Sequence, residues 1–380
     1  MLRIVEVKTR KQLREFINFP FKLYSNNPNW VPPLKADERS TLLEKKNPAF
    51  EYCYARYWLA YKDGILAGRI AGIINDKANQ KWNRDYARFG WFDFIEDREV
   101  ARGLLEVVEK WALEEGLAGT QGPMGFCDMD KEGLLIEGFE EQGSFTTIYN
   151  FPYYPKYLEE NGYVKDVDWL EFRINIPKEL PETINRIASR TAERLGVKVV
   201  SFKSNKEILP YGHDIFNLLN EAYKNLYSVV ALSKAQIDFY IKQYFSSINP
   251  DFVKIILDKD GELAAFGIGI PSLGQALIEA KGKLVPFGFL KLLKALKKND
   301  SVDLLLVAVR PDMQNKGVNS LLMTSMAEAC WKNGITTAYC NPELESNHKV
   351  QGQWKYFDTT QHKRRRCYHK SLEDQQKGLA

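Results

Sequence analysis

Two distant stretches of the chain share one plan. "WLAYKDGILAGRIAGI" (58–73) and "FVKIILDKDGELAAFGIGIP" (252–271) each run a β-rich segment into a Lys-Asp-Gly turn and out into a second β-rich segment. Asp-Gly between apolar runs is a hairpin signal, because both residues tolerate the left-handed backbone of a tight turn. The same hairpin at two corresponding points makes a repeated α+β unit the simplest reading. The flanks repeat too. In the first half "YARFGWFDFIED" supplies a further strand. Val100, Leu104, Val107, Val108 and Trp111 then recur at helical spacing up to Gly116. In the second half "SVDLLLVAVR" is the strand, the helix runs from Gly317 to Asn333, and "TTAYC" follows. Near the start, Thr9 with Gln12 three residues on is a capping box for a helix that should end near Pro20. "LPETINRIASRTAERLG" (180–196) has little partner of its own and reads as a connecting helix.

At 380 residues and 44% apolar composition, the chain can build two cores. A formal charge of +4 gives no general attraction to nucleic acid, and "HKRRR" (362–366) reads as a solvated strand edge or a phosphate rim. Cys53, Cys127, Cys330, Cys340 and Cys367 lack metal or redox spacing and read as reduced thiols. The four histidines show no paired ligand spacing, so no metal is expected. No apolar run approaches the roughly 20 residues of a membrane span, and "MLRIVEVKTR" lacks the apolar core of a signal peptide. A cytoplasmic protein is expected.

The chemistry is concentrated in "VAVRPDMQNKGVNSLLM" (307–323), an apolar strand that passes through a polar turn into a helix. Unpaired N–H groups and a partial positive charge at a helix start form an anion cradle, provided that side chains leave it open. Ordinary turn chemistry would explain the same residues. The order of elements and the run Gln314, Asn315, Lys316, Gly317, Val318, Asn319 resemble the GNAT superfamily of acyl-CoA N-acyltransferases. That family's motif has Gln or Arg, two residues, Gly, one residue, then Gly or Ala; Asn319 departs from it. "YSNNPNWVPPL", "EGLLIEGFEEQGSFTTIYNFPYYPKYLEENGY", "LVPFGFLKLL" and "ELESNHK" resemble a narrower bacterial group of tandem GNAT proteins.

The resemblance implies tandem domains, each a mixed, mostly antiparallel twisted sheet flanked by helices. Residues 1–176 would be a degenerate GNAT-like domain, with acidic residues in "FDFIEDREVARGLL" where a cradle should be. Residues 177–196 would connect it to the acyl-CoA-binding domain at 197–372, and 373–380 would be a tail. The donor would be acetyl-CoA or a longer acyl-CoA, held by Val307, Val309, residues 314–319 and Asn341. Glu345, preferred over Glu343, would take the amine's proton, and Tyr356 would protonate the leaving thiolate. Tyr149, Asn150, Tyr153 and Tyr154 are candidate walls of the acceptor cleft.

Between two second-half strands sits "EAKGKLVPFGFLKLLKALKKND", a basic amphipathic segment without an acid from 280 to 299. One reading packs its leucines inward. The other places 284–298 on the inner face of a membrane and favours a lipid amine acceptor or long acyl chains. A degenerate pair that binds an acyl thioester or a partner without turnover, and an enzyme using acyl carrier protein as donor, are the alternatives.

Overall fold

The computed structural model describes residues 1–245 and 248–373. In chain order the first half forms β1 (Leu2–Glu6), α1 (Arg10–Leu23), α2 (Lys35–Leu42), β2 (Cys53–Lys62), β3 (Ile65–Asn75), α3 (Asp76–Trp82), β4 (Tyr86–Phe94), α4 (Arg98–Glu114), β5 (Gly119–Gly122), β6 (Leu134–Glu137), α5 (Tyr153–Glu160) and β7 (Val164–Asn175). The rest forms α6 (Glu182–Leu195), β8 (Lys198–Val200), α7 (Asn205–Ile208), α8 (Gly212–Tyr223), α9 (Lys234–Tyr244), β9 (Val253–Leu257), β10 (Leu263–Pro271), α10 (Gly274–Ala280), α11 (Gly288–Lys297), β11 (Ser301–Val309), α12 (Val318–Lys332), β12 (Thr337–Cys340), β13 (Glu343–Leu344), α13 (His348–Gln351) and β14 (Asp358–Ser371).

Contacts divide the described residues into two compact units. One holds 1–170, 274–289 and the residues from 363 on; the other holds 171–273 and 290–362. This differs from the division expected at 176 and 196, and strand pairing is the reason. In the first unit the sheet runs β1-β2-β3-β4-β5-β14, and Tyr368 of β14 pairs with Gly122. In the second it runs β8-β9-β10-β11-β12-β7, and the end of β7, Arg173 to Asn175, pairs with β12. Residues 374–380, most of the expected tail, lie outside the described residues.

Both Lys-Asp-Gly hairpins form. Asp63 and Gly64 adopt φ of 50° and 80°, the two positive values of a type I′ turn. The Thr9 capping box also forms, but α1 continues through Pro20 to Leu23. A proline inside a helix leaves the carbonyl four residues back without its N–H. Here that carbonyl, on Phe16, accepts from Arg69 Nη1 at 2.9 Å, which offsets the loss. As expected from their spacing, Val100, Leu104, Val108 and Trp111 of α4 are buried against β2 to β4.

In the second unit α12 buries Val318, Leu321 and Leu322 against Ile256, Ala264 and Ala265 of the sheet. The helix expected to be a connector packs along α12. Ala188 of α6 joins that cluster, while Ile184 contacts Ala327 and Leu180. Burying a side chain such as Ile184 contributes about 2 kcal/mol.

Candidate active site

β11 and β12 run parallel for four residue pairs, from Ser301–Thr337 to Leu304–Cys340, and then part. The register between β10 and β11 slips at the same point, between Ile268 and Gly269, leaving Leu305 as the bulged residue. Asn341 bridges the fork: its N–H donates to Leu304 O at 3.1 Å and its Nδ2 to Leu305 O at 2.8 Å. Beyond the fork β11 keeps only its β10 partner. Arg310 N donates to Ala264 O, and antiparallel pairing then alternates, so Ala308 and Leu306 face β10 while the N–H and C=O groups of Val307 and Val309 face the open edge. Tyr223 Oη donates to Val307 O at 3.0 Å and Gln314 Nε2 to Val309 O at 3.0 Å. The two edge N–H groups have no acceptor among the described residues.

The strand leads into a braced turn. Arg310 donates from Nη2 to Asp258 Oδ2 at 2.8 Å and from Nε to Asp312 Oδ1 at 2.7 Å. Asn315 (φ 58°) and Gly317 (φ 91°) are both left-handed, and α12 starts with no acidic residue in its first turn. Among the described residues, the N–H groups of residues 315–319 find no acceptor, so a row of unpaired donors surrounds the helix start. Packing also requires a glycine at Gly317. Its φ disfavours a side chain, and a Cβ would stand 2.4 Å from Thr191 Oγ1 and 3.2 Å from Ile187 on α6. The glycine thus makes room for a helix, which in turn holds the loop. Arg194 Nη2 donates to Lys316 O at 2.7 Å, and Thr191 Oγ1 to the same oxygen at 3.3 Å. Asn319, the departure from the motif, donates its amide to Gln353 Oε1.

Past the end of β12, Glu343 is half-buried. Its Oε1 accepts from Trp354 Nε1 at 2.9 Å, and Oε2 has no hydrogen-bond partner among the described residues. Burial pushes this carboxyl up to about 7, against the opposing pull of the Trp354 and Cys340 hydrogen bonds. Burial first, and then the Glu343 charge, hold the Cys340 thiol well above its ordinary range; its Sγ accepts from Phe172 N at 3.0 Å. A carboxyl that titrates near neutrality is suited to proton exchange with an amine. The preference for Glu345 comes from the family resemblance. The feature that distinguishes its neighbour, packing against Trp354, is a contact between residues eleven apart.

No family model matches the chain. Among related proteins, it is 26% identical to Protein YghO of Escherichia coli K12 over 372 residues, covering 96% of this chain and 94% of that protein. It is 27% identical to the bacterial ceramide synthase of Caulobacter vibrioides over 381 residues, covering 98% of each. Among solved structures, the tandem GNAT protein from the clavulanic acid biosynthesis pathway superposes with a TM-score of 0.57 at 10% identity, covering 98% of both chains. The chain has the tandem GNAT fold. A GCN5-related N-acetyltransferase from Sphaerobacter thermophilus gives a TM-score of 0.51 at 10% identity, covering 98% of this chain and 96% of that one.

The two GNAT units differ at their helix starts. In the first, Asp97 Oδ1 accepts from Glu99 N at 3.0 Å and Val100 N at 3.2 Å, so a carboxylate occupies the amides that a phosphate would need. The four aromatic-loop candidates lie in this unit, with their polar atoms committed to the protein. Tyr149 Oη donates to Phe139 O at 3.0 Å, and Asn150 bonds both the N–H and the C=O of Leu135. Tyr153 Oη donates to Phe94 O at 2.6 Å, while the hydroxyl of fully buried Tyr154 lies 3.0 Å from that of Tyr24 and accepts from Phe94 N. These hydrogen bonds tie the four residues to Phe139, Leu135 and Phe94 of the first unit. In the second unit, Tyr356 is 40% exposed in the turn after α13, with Lys355 Nζ 4.8 Å above its ring. Tyr223, which touches the β11 edge, carried no sequence signal, because only the packing of α8 on β11 brings it there.

Proposed function

We propose that this protein is an N-acyltransferase that moves an acyl group from an acyl-CoA thioester to an amine, with a lipid amine as the favoured acceptor. The observation that carries the reading is the fork between β11 and β12, with the Val307 and Val309 amides open beside a row of unpaired N–H groups. The fork fits a pantetheine arm as an added strand. Residues 314–319 would hold the pyrophosphate, and Asn341 would fix the fork. The thioester carbonyl would lie at Val309 N–H, a donor for the oxyanion.

Glu343, with Glu345 as the second carboxylate at this strand end, would take the proton of the attacking amine. The C–N bond then forms, the C–S bond breaks, and the thiolate receives a proton. Tyr356, the residue expected from the sequence, is one candidate source, and Tyr223, whose Oη donates to Val307 O at the open edge, is another. The resemblance to a protein named bacterial ceramide synthase supports a long acyl chain and an amino-alcohol lipid, since a ceramide is the amide of those two partners. Segment 284–298 would bring the enzyme to the membrane where such an acceptor resides.

Free-thiol release from palmitoyl-CoA, measured with and without a sphingoid base, tests the reading. Amine-dependent release supports it. Binding of acyl-CoA without turnover would favour a non-catalytic thioester-binding pair. Turnover with acyl-acyl carrier protein alone would favour a carrier-protein donor.

A further inference from the structure

Six large apolar side chains are exposed within residues 284–293: Leu284, Val285, Phe287, Phe289, Leu290 and Leu293. Val285 is 78% exposed and Phe287 69%, although both are residue types that ordinarily leave water. The reading that packs the leucines inward fits Leu292 and Leu296, which are half-buried with Ala295 on one face of α11. Phe289 and Leu293, one turn apart, stand on the flank beside them.

The segment is held at its base. Lys35 N donates to Gly282 O at 3.1 Å, and Phe289 N donates to Leu284 O at 2.9 Å, closing a tight loop whose tip is Val285 to Phe287. The same stretch of sequence carries exposed Lys281, Lys283, Lys291, Lys294, Lys297 and Lys298, with no Asp or Glu from 280 to 299.

We infer that residues 281–298 dock the protein on an anionic phospholipid surface, with Leu284, Val285 and Phe287 entering the acyl region and the lysines meeting the headgroups. The charge selects this occupant. A second copy would bring six more lysines against the first six, and an acidic protein partner would leave the protruding apolar tip without hydrocarbon to enter. The inference stands independently of the acyl-transfer reading.

Flotation with vesicles of phosphatidylcholine alone, and of phosphatidylcholine with phosphatidylglycerol, tests it. The full chain should float with the anionic vesicles and lose that binding as salt rises. The V285S/F287S variant, whose changes are exposed and should leave the melting temperature unchanged, should bind at least about tenfold more weakly. The K291Q/K294Q variant should lose binding to anionic vesicles by about tenfold or more. Absence of binding to anionic vesicles at low salt, equal binding to both vesicle types, or unaltered binding by V285S/F287S would overturn the inference. So would capture of an acidic carrier protein by this segment in place of vesicles.

Discussion

Replacing Glu343 by glutamine should separate catalysis from stability. The raised carboxyl must ionise to act as a base, so wild-type kcat/KM should fall as pH drops below about 7, and Glu343→Gln should lower it by at least about a hundredfold across the profile. Stability should move the other way. A carboxyl whose folded pKa lies above the unfolded value binds more protons when folded, so its contribution is present at acid pH and is lost as pH rises from the unfolded value through about 7. At pH 8 the glutamine variant should therefore melt higher than wild type, by up to about 3 kcal/mol in stability, and the gain should vanish near pH 4. A thermal melt series checks this, and equal melting at pH 8 would refute the buried setting. At this scale the sequence was half legible. Both glutamates stand out after β12, but the Trp354 contact that sets Glu343 apart joins residues eleven positions apart and is not legible locally.

The helices hold the next lesson. α6 was expected to be a connector because its apolar face had no partner in the sequence nearby; its partner, α12, begins more than a hundred residues later. Gly317→Ala should cost about 1–3 kcal/mol, from the strained φ and the crowding by Thr191, and denaturant melts should show it. Arg194→Ala removes the shorter of the two hydrogen bonds that hold Lys316 O. It should raise the dissociation constant for coenzyme A by about tenfold while the melting temperature shifts little, because the guanidinium is exposed. Titration calorimetry reads that change; unaltered affinity would mean that α6 does not organise the cradle. The Thr9 cap and the two Lys-Asp-Gly turns were legible because their physics is local. The passage of α1 through Pro20 was not, since Arg69 rescues the freed carbonyl from another strand.

At the scale of the molecule, the repeat was readable from its two hairpins, and the fold bears it out. Where each unit ends was not readable, because sheet membership is decided by long-range pairing. The second unit uses Arg173 to Asn175 as a strand and α6 as a packing helix. A chain starting at residue 197 lacks both, and circular dichroism should find it unfolded. On the proposed reading, the occupied helix start of the first unit and the open one of the second leave the second unit's fork as the acyl-CoA site. Thermal shift of the full chain with coenzyme A, acetyl-CoA and palmitoyl-CoA tests that assignment most directly. Ligand at 100 times its dissociation constant should add about 2.7 kcal/mol of stability. All three should raise the melting temperature, palmitoyl-CoA the most, and Gly317→Ala should reduce the shift. No shift with any of them, or one unchanged by Gly317→Ala, would contradict a donor site at the second unit's fork.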